Sequence, residues 1–375
     1  MKDSSLSLQL LKRIYNKMEI AMFVWEFPPR LVGGLGTYAS EIAPQFVKMG
    51  NDVTILTLNE GNLTTRDIWN GVEVHRPEIV SLLNAIPNVL IEDIRKHGTD
   101  AGFFSNILAY NILSASKLVN DIAKREERAF DIVVSHDWLS ITGGIAAKKG
   151  LNKPFVLHFH STEKGRTLGG GSPMISELEY QGGQSADLVI TVSSSMRDEL
   201  VSQGFPEKKI RVCANGVDAQ KYDPKTIKKE EADKIRSKYG VQEKDPMILF
   251  VGRLTSIKGV DRLVMAMPSI LKKTPNAKLV IVGIGDMERH LTNLISTLNL
   301  RNSVKTRFEF ISEEERIQHY AASDICAFPS LYEPFGIVCI EAMSMGKPVV
   351  VGAAGSSGMR DIVVHSGPDQ CGFHI

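Results

Sequence analysis

Short runs of β-branched and apolar residues alternate with longer amphipathic runs along almost the whole chain. No other feature restricts the fold as much. "EIAMFVW" precedes "GTYASEIAPQFVKMG", "DVTILTL" follows, and then come "DIVVSHD", "PFVLHFHS", "DLVITVS" with "SSMRDELVSQG", and "IRVCANG". A polar stretch, residues 221–245, breaks the rhythm. It resumes with "MILFVGRL" and "GVDRLVMAMPSILKKTP", "AKLVIVGIG" and "MERHLTNLISTLN", "TRFEFIS" and "EEERIQHYAAS", "DICAFPS" and "GIVCIEAMSMG", and "PVVVGAA". Buried parallel strands read as continuous apolar runs and need helical crossovers. The expected class is α/β, with two Rossmann-like doubly wound domains in tandem, and 375 residues suffice for both. The expected division is an extension over 1–17, a first domain over 18–220 and a second over 221–375. Such sheets bind ligands beyond the carboxyl ends of their strands, so a cleft between two facing domains is the expected site.

Composition removes several function classes. A net charge of +1 gives no field for nucleic acid or an anionic membrane. Four cysteines without C-x-x-C spacing fit a reducing cytoplasm, with neither disulfides nor structural zinc. No apolar run reaches the roughly 18 residues of a membrane span. The run "FFSNILAYNILSASKLVNDIAK" is expected to be a core helix, and membrane association is not expected. No two aspartates stand two apart, which removes a D-x-D metal motif.

Three loops at strand ends carry candidate chemistry. In "EFPPRLVGGLGTYA", Gly33, Gly34 and Gly36 precede a helix, where bare N–H groups can meet an anion. A tight strand-to-helix turn explains them equally well. The spacing is not G-x-G-x-x-G, and no acidic residue ends the second strand, so a dinucleotide cofactor is disfavoured. In "GRLTSIKG", Arg253 and Lys258 suit a diphosphate, one as a planar fork and one as a point charge, or are two solvated charges. In "EPFGIVCIE", Glu341 sits in an apolar helix and Glu333 stands just before it. A buried carboxylate needs donors. Two ribose hydroxyls would supply them, unless Glu341 faces solvent at an edge of the helix. Gly336 and Ile337 open that helix with free amides.

In combination these motifs resemble glycosyltransferase family 4, retaining enzymes of the GT-B fold. "WEFPPRLVGGLGTYA", "HDWLS" and "HFHSTEKGR" resemble its glycogen synthase and maltose-1-phosphate synthase branch. The resemblance implies roles. Arg253 and Lys258 neutralise a departing diphosphate, and Glu333 holds donor-sugar hydroxyls near the amides of Gly336 and Ile337. Glu341 binds ribose, Gly33, Gly34 and Gly36 approach the diphosphate, and His160 stands near the reacting sugar. His158 is expected to face away from His160 and could equally be a satisfied core histidine. Asp137 and Trp138 of "HDWLS", with Lys164 and Arg166, are candidate acceptor residues. The two cations suit a phosphorylated acceptor. The implied activity is transfer of glucose from ADP- or UDP-glucose to an α-glucan, in the cytoplasm and without metal or other cofactor. Two alternatives remain: glucose-1-phosphate as acceptor, or a nucleotide-sugar binding protein without catalysis. The family continues beyond "GPDQCGFHI" to a helix that returns to the first domain, so the expectation is either a fragment or a chain without that closing helix.

Overall fold

A computed structural model describes residues 17–31, 33–59, 61, 63–79 and 101–375. The expected extension lies outside them, apart from Lys17. The chain divides into two compact units, and the division is not a single cut. The second unit takes 163–171 and 191–203 as well as everything from 212 onward.

The first unit is built on an eight-stranded sheet. Its strands are β1 (Glu19–Phe23), β2 (Asp52–Leu56), β3 (Arg66–Trp69), β4 (Val72–His75), β5 (Ile132–His136), β6 (Phe155–Phe159), β7 (Leu188–Thr191) and β8 (Ile210–Val212). The order is β3-β4-β2-β1-β5-β6-β7-β8. β1 pairs in parallel with both β2 and β5, so the order reverses there. Loops that follow β1 and β5 therefore leave the switch point, where open α/β sheets hold ligands. Alternate residues of β1 cannot be exposed on either face, and four of its five residues are buried.

The second unit has six strands: β9 (Met247–Val251), β10 (Lys278–Val282), β11 (Val304–Arg307), β12 (Ile325–Phe328), β13 (Val349–Val351) and β14 (Gly372–His374). Their order is β11-β10-β9-β12-β13-β14, with every pairing parallel. This is the doubly wound order, with its switch point between β9 and β12. The parallel strands that were legible as apolar runs form the core of each unit, with Leu249, Leu279, Ile281 and Val349 fully buried in the second.

Three local expectations are corrected. The apolar run near 101–125 is a helix that meets the core along one face only. An α-helix over Ala101–Ser116 continues as a π-helix over Lys117–Arg125, and among the described residues Phe103, Leu108, Ile112 and Leu113 remain exposed. Its inner face carries Ile107, Tyr110, Asn111, Ser114, Ala115, Leu118 and Ile122, all buried. "TRFEFIS" is a strand only to Arg307, and Phe310 is exposed. The edge of the first sheet is an antiparallel hairpin, β3 with β4, which the sequence reading passed over. Its signal was Asn70-Gly71, both at positive φ, in a two-residue turn. No helix among the described residues is long and apolar enough to cross a membrane.

The hairpin edge is pinned by charge. Glu73 of β4 pairs with Arg128 and with Arg66 at 2.7 Å, and lies 2.9 Å from His75 Nε2. His75 and Arg128 hold its carboxyl at about 2, against an ordinary 4.5. A depressed folded value stabilises above the unfolded value and is lost as pH falls through the folded one. Glu73→Gln is therefore expected to lose on the order of 2–3 kcal/mol at neutral pH. That deficit should shrink as pH drops below about 4.5. Denaturant midpoints across this range check it, and a deficit independent of pH would reject the ion-pair account.

Candidate functional site

The second unit brings two of the expected residues together. β9 and β12 are neighbours, so the loops leaving their carboxyl ends start side by side. After β9 the chain makes a 3-10 turn over Ser256–Lys258 and reverses at Gly259, φ +64°. A Cβ at Gly259 would lie 2.2 Å from the Pro329 carbonyl oxygen, and Leu331 N–H donates to the Ile257 carbonyl at 2.7 Å. The two loops are thus packed backbone on backbone. Their side chains meet as an ion pair, Lys258 Nζ to Glu333 Oε2 at 2.5 Å, with Ser330 Oγ 3.4 Å from the same oxygen. Both side chains are largely buried. Arg253 lies on the same loop, exposed, with no hydrogen bond or ion pair among the described residues. The helix over Ile337–Ser344 begins at Gly336, φ +100°, and no side chain caps it. Its first amides follow Glu333 directly.

Glu341 is buried in that helix, so a solvent-facing edge is excluded. Its donors come from the protein. Tyr222 Oη donates to Oε1 at 3.0 Å and Tyr320 Oη to Oε2 at 2.8 Å. Arg316 reaches Oε1 with Nη2 and Oε2 with Nε, each at 3.2 Å. Three of these contacts are hydrogen bonds and the Nε contact is an ion pair without one, so three of the carboxylate's roughly four acceptor positions are filled. Burial pushes the Glu341 carboxyl up, while Arg316 and the two tyrosine hydroxyls oppose it. Sequence reasoning missed Tyr222, Arg316 and Tyr320, because none stands near Glu341 in the chain and none carries a local motif.

In the first unit the glycine-rich loop has a carboxylate that the sequence reading overlooked. Gly33 N–H donates to Glu26 Oε2 at 2.9 Å. A Cβ on Gly36 would stand 2.8 Å from Leu31 and 3.0 Å from Glu26, whereas Gly34 has nothing within 4 Å. Gly36 is thus required for packing, and the Gly33 amide is already engaged. Asp137, at φ +54°, directly follows β5 and accepts from the backbone amides of His160 at 2.6 Å and Ser161 at 3.3 Å. Trp138 is buried against Phe103 and Phe104 rather than offered as a stacking platform.

His158 does not face away from His160. Residues two apart on a strand share a face, and their ring centroids lie 4.2 Å apart. Nor is His158 a satisfied core histidine, since its Nε2 is buried without a partner. His136 joins them, with Nδ1 3.0 Å from His160 Nε2. Burial pushes all three rings to the neutral form: His158 to about 3, and His136 and His160 well below their ordinary value.

Of the two cations expected at the acceptor, Arg166 is held by Glu163, Nη2 to Oε2 at 2.8 Å, while Lys164 is exposed. Both belong to the segment counted with the second unit.

Residues 32–221 match the model of Glycosyltransferase Family 4, and residues 231–375 match that of Glycosyl transferases group 1. An uncharacterized glycosyltransferase of Methanocaldococcus jannaschii is 35% identical over 93% of this chain and 83% of its own. The chain is a family 4 glycosyltransferase. Glycogen synthase of Mycobacterium tuberculosis is 28% identical to it over 91% of this chain and 79% of that one. Sucrose-phosphate synthase from Thermosynechococcus elongatus shares the fold, with a TM-score of 0.74 at 22% identity over 96% of this chain and 86% of that one. This glycosyltransferase therefore has the GT-B fold. Within it, Lys258 and Glu333 are the pair that the second unit places at its own switch point.

Proposed function

We propose that this glycosyltransferase is a retaining glucosyltransferase that moves glucose from ADP- or UDP-glucose to an α-glucan without a metal. The observation that carries the donor half is the Lys258–Glu333 pair at the carboxyl end of β9 and β12. A diphosphate presents the charge that Lys258 can neutralise, and a hexose presents the hydroxyls that Glu333 can accept from. In the reaction the bond between sugar C1 and the diphosphate oxygen breaks. The acceptor oxygen bonds to C1 on the same face, and its proton goes to the departing diphosphate. Protein groups need only orient the partners and stabilise developing charge. Lys258, the exposed Arg253 and the amides of Gly336 and Ile337 are the groups for that task, and His160 is the first-unit residue for the sugar. Ribose at Glu341 would share the carboxylate with its three hydrogen-bond donors, Tyr222, Tyr320 and Arg316. The glucan acceptor is supported by the similarity to glycogen synthase. The paired state of Arg166 leaves Lys164 alone to favour a phosphorylated one.

The test is nucleotide release from ADP-glucose and UDP-glucose with glycogen, with glucose-1-phosphate and with no acceptor. Expected is release stimulated by glycogen, an α-linked product by NMR, and undiminished rate in EDTA. No release from either donor would reject the transferase reading for these sugars, and a β-linked product would reject retention. Turnover with glucose-1-phosphate alone would move the acceptor to the phosphorylated class. Complete loss in EDTA would show that the reaction needs a metal.

A further inference from the structure

The three histidines of the first unit are set together by strand register. β5 and β6 pair in parallel with His136 beside His158, so both side chains leave the sheet on one face. His160 follows two residues on, where the alternation returns it to that face. Tyr38, from the helix over Gly34–Lys48, lays its ring against all three, at centroid distances of 5.7, 5.1 and 4.6 Å. One ring nitrogen from each histidine lies within 4.8 Å of the others.

Two features separate this cluster from a packed histidine core. His136 and His158 are almost completely buried, yet Nε2 of each has no hydrogen-bond partner. A buried polar atom left unpaired costs about 1–3 kcal/mol. His136 Nδ1 and His160 Nε2 stand 3.0 Å apart, a hydrogen-bonded spacing. Two imidazoles on one tetrahedral zinc ion, at about 2.0–2.1 Å each, hold their nitrogens about 3.3 Å apart. Neutral imidazole is the form that ligates, and burial keeps these rings neutral.

We propose that His136, His158 and His160 form a binding site for one late first-row divalent metal ion, of the zinc and cobalt class. Three nitrogen donors suit these ions rather than magnesium or calcium, and leave a fourth position for water. The site is distinct from the leaving-group chemistry assigned to Lys258 and Arg253.

Cobalt(II) is the probe. The full chain, stripped by chelator and dialysed, is titrated with Co2+ and then with Zn2+. Expected are one cobalt per chain, visible absorption of a four-coordinate centre, displacement by zinc, and few protons released at neutral pH. His158→Gln and His136→Gln should each weaken binding at least about tenfold. The stacked pair His365 and His374, 4.4 Å between centroids, is the competing surface site, and His365→Ala should change nothing. Circular dichroism establishes that each variant is folded, and if one is not, the other decides. Less than half a cobalt per chain, affinity unchanged in a folded His158→Gln or His136→Gln, or loss in His365→Ala overturns the proposal. No sugar nucleotide is present, so the result is independent of the transferase reading.

Discussion

Lys258→Ala is expected to lower kcat by about 10²–10³-fold with a diphosphate-sugar donor, the scale of removing one pre-organised electrostatic stabiliser. The size follows from where Lys258 stands. It is largely buried, and its loop is packed backbone on backbone against the Glu333 loop at Gly259 and Leu331. Water cannot easily take its place, and it need not reorganise when charge develops on the leaving group. Its resting partner is Glu333, so the substitution also leaves that carboxylate without its counter-charge. Lys258→Ala should therefore fail to be rescued by Arg253, and Glu333→Gln combined with it should lose less than the product of the single losses. Steady-state rates of the single and double variants measure this. A Lys258→Ala rate near wild type, in a variant that melts normally, would remove the lysine from the reaction.

Glu341→Ala is expected to destabilise the second unit by about 3–5 kcal/mol, the usual effect of leaving a buried cation without its partner. Arg316 is mostly buried, and its guanidinium has Glu341 and the Tyr222 hydroxyl as inward partners. Glu313, 3.8 Å away, is a weak substitute. Tyr222 and Tyr320 would each lose an acceptor as well. Hydrogen exchange in the second unit, or its thermal midpoint, reads the effect. A carboxylate whose main role were to hold ribose would behave differently: Glu341→Ala would keep its melting point and raise only the donor KM. That outcome would support the ribose assignment and show that the three protein donors are dispensable.

Much of the architecture was legible because buried parallel strands write themselves as apolar runs. The second sheet follows directly from "MILFV", "KLVIV", "ICAF" and "VVV". What escaped was set by partners distant in sequence. Glu341 was read as buried and in need of donors, yet its donors lie 119, 25 and 21 residues away. Glu26 was missed because nothing local marks an acid that folds back on a glycine turn. The histidine cluster needed only the pleat rule for His158 and His160, but His136 required the pairing of β5 with β6. The Asn70-Gly71 turn carried its signal openly and was passed over in favour of an all-parallel sheet.

The helix over Ser194–Ser202 belongs to the second unit although its residues precede β8. Asp361 accepts from the Ser194 amide at 2.7 Å, Arg360 Nη2 reaches Ser195 Oγ at 3.2 Å, and that hydroxyl donates to the Ser357 carbonyl. Gly358 is pressed so close to Ser193 that a Cβ there would stand 2.9 Å from the serine's own. Recombination between relatives therefore has no clean seam at residue 212. A chimera that imports a foreign second unit from that point would set a new partner against this helix. Exchange of specificity between such enzymes must carry 191–203 along with the half it serves, and natural crossovers that survive selection should fall outside that segment.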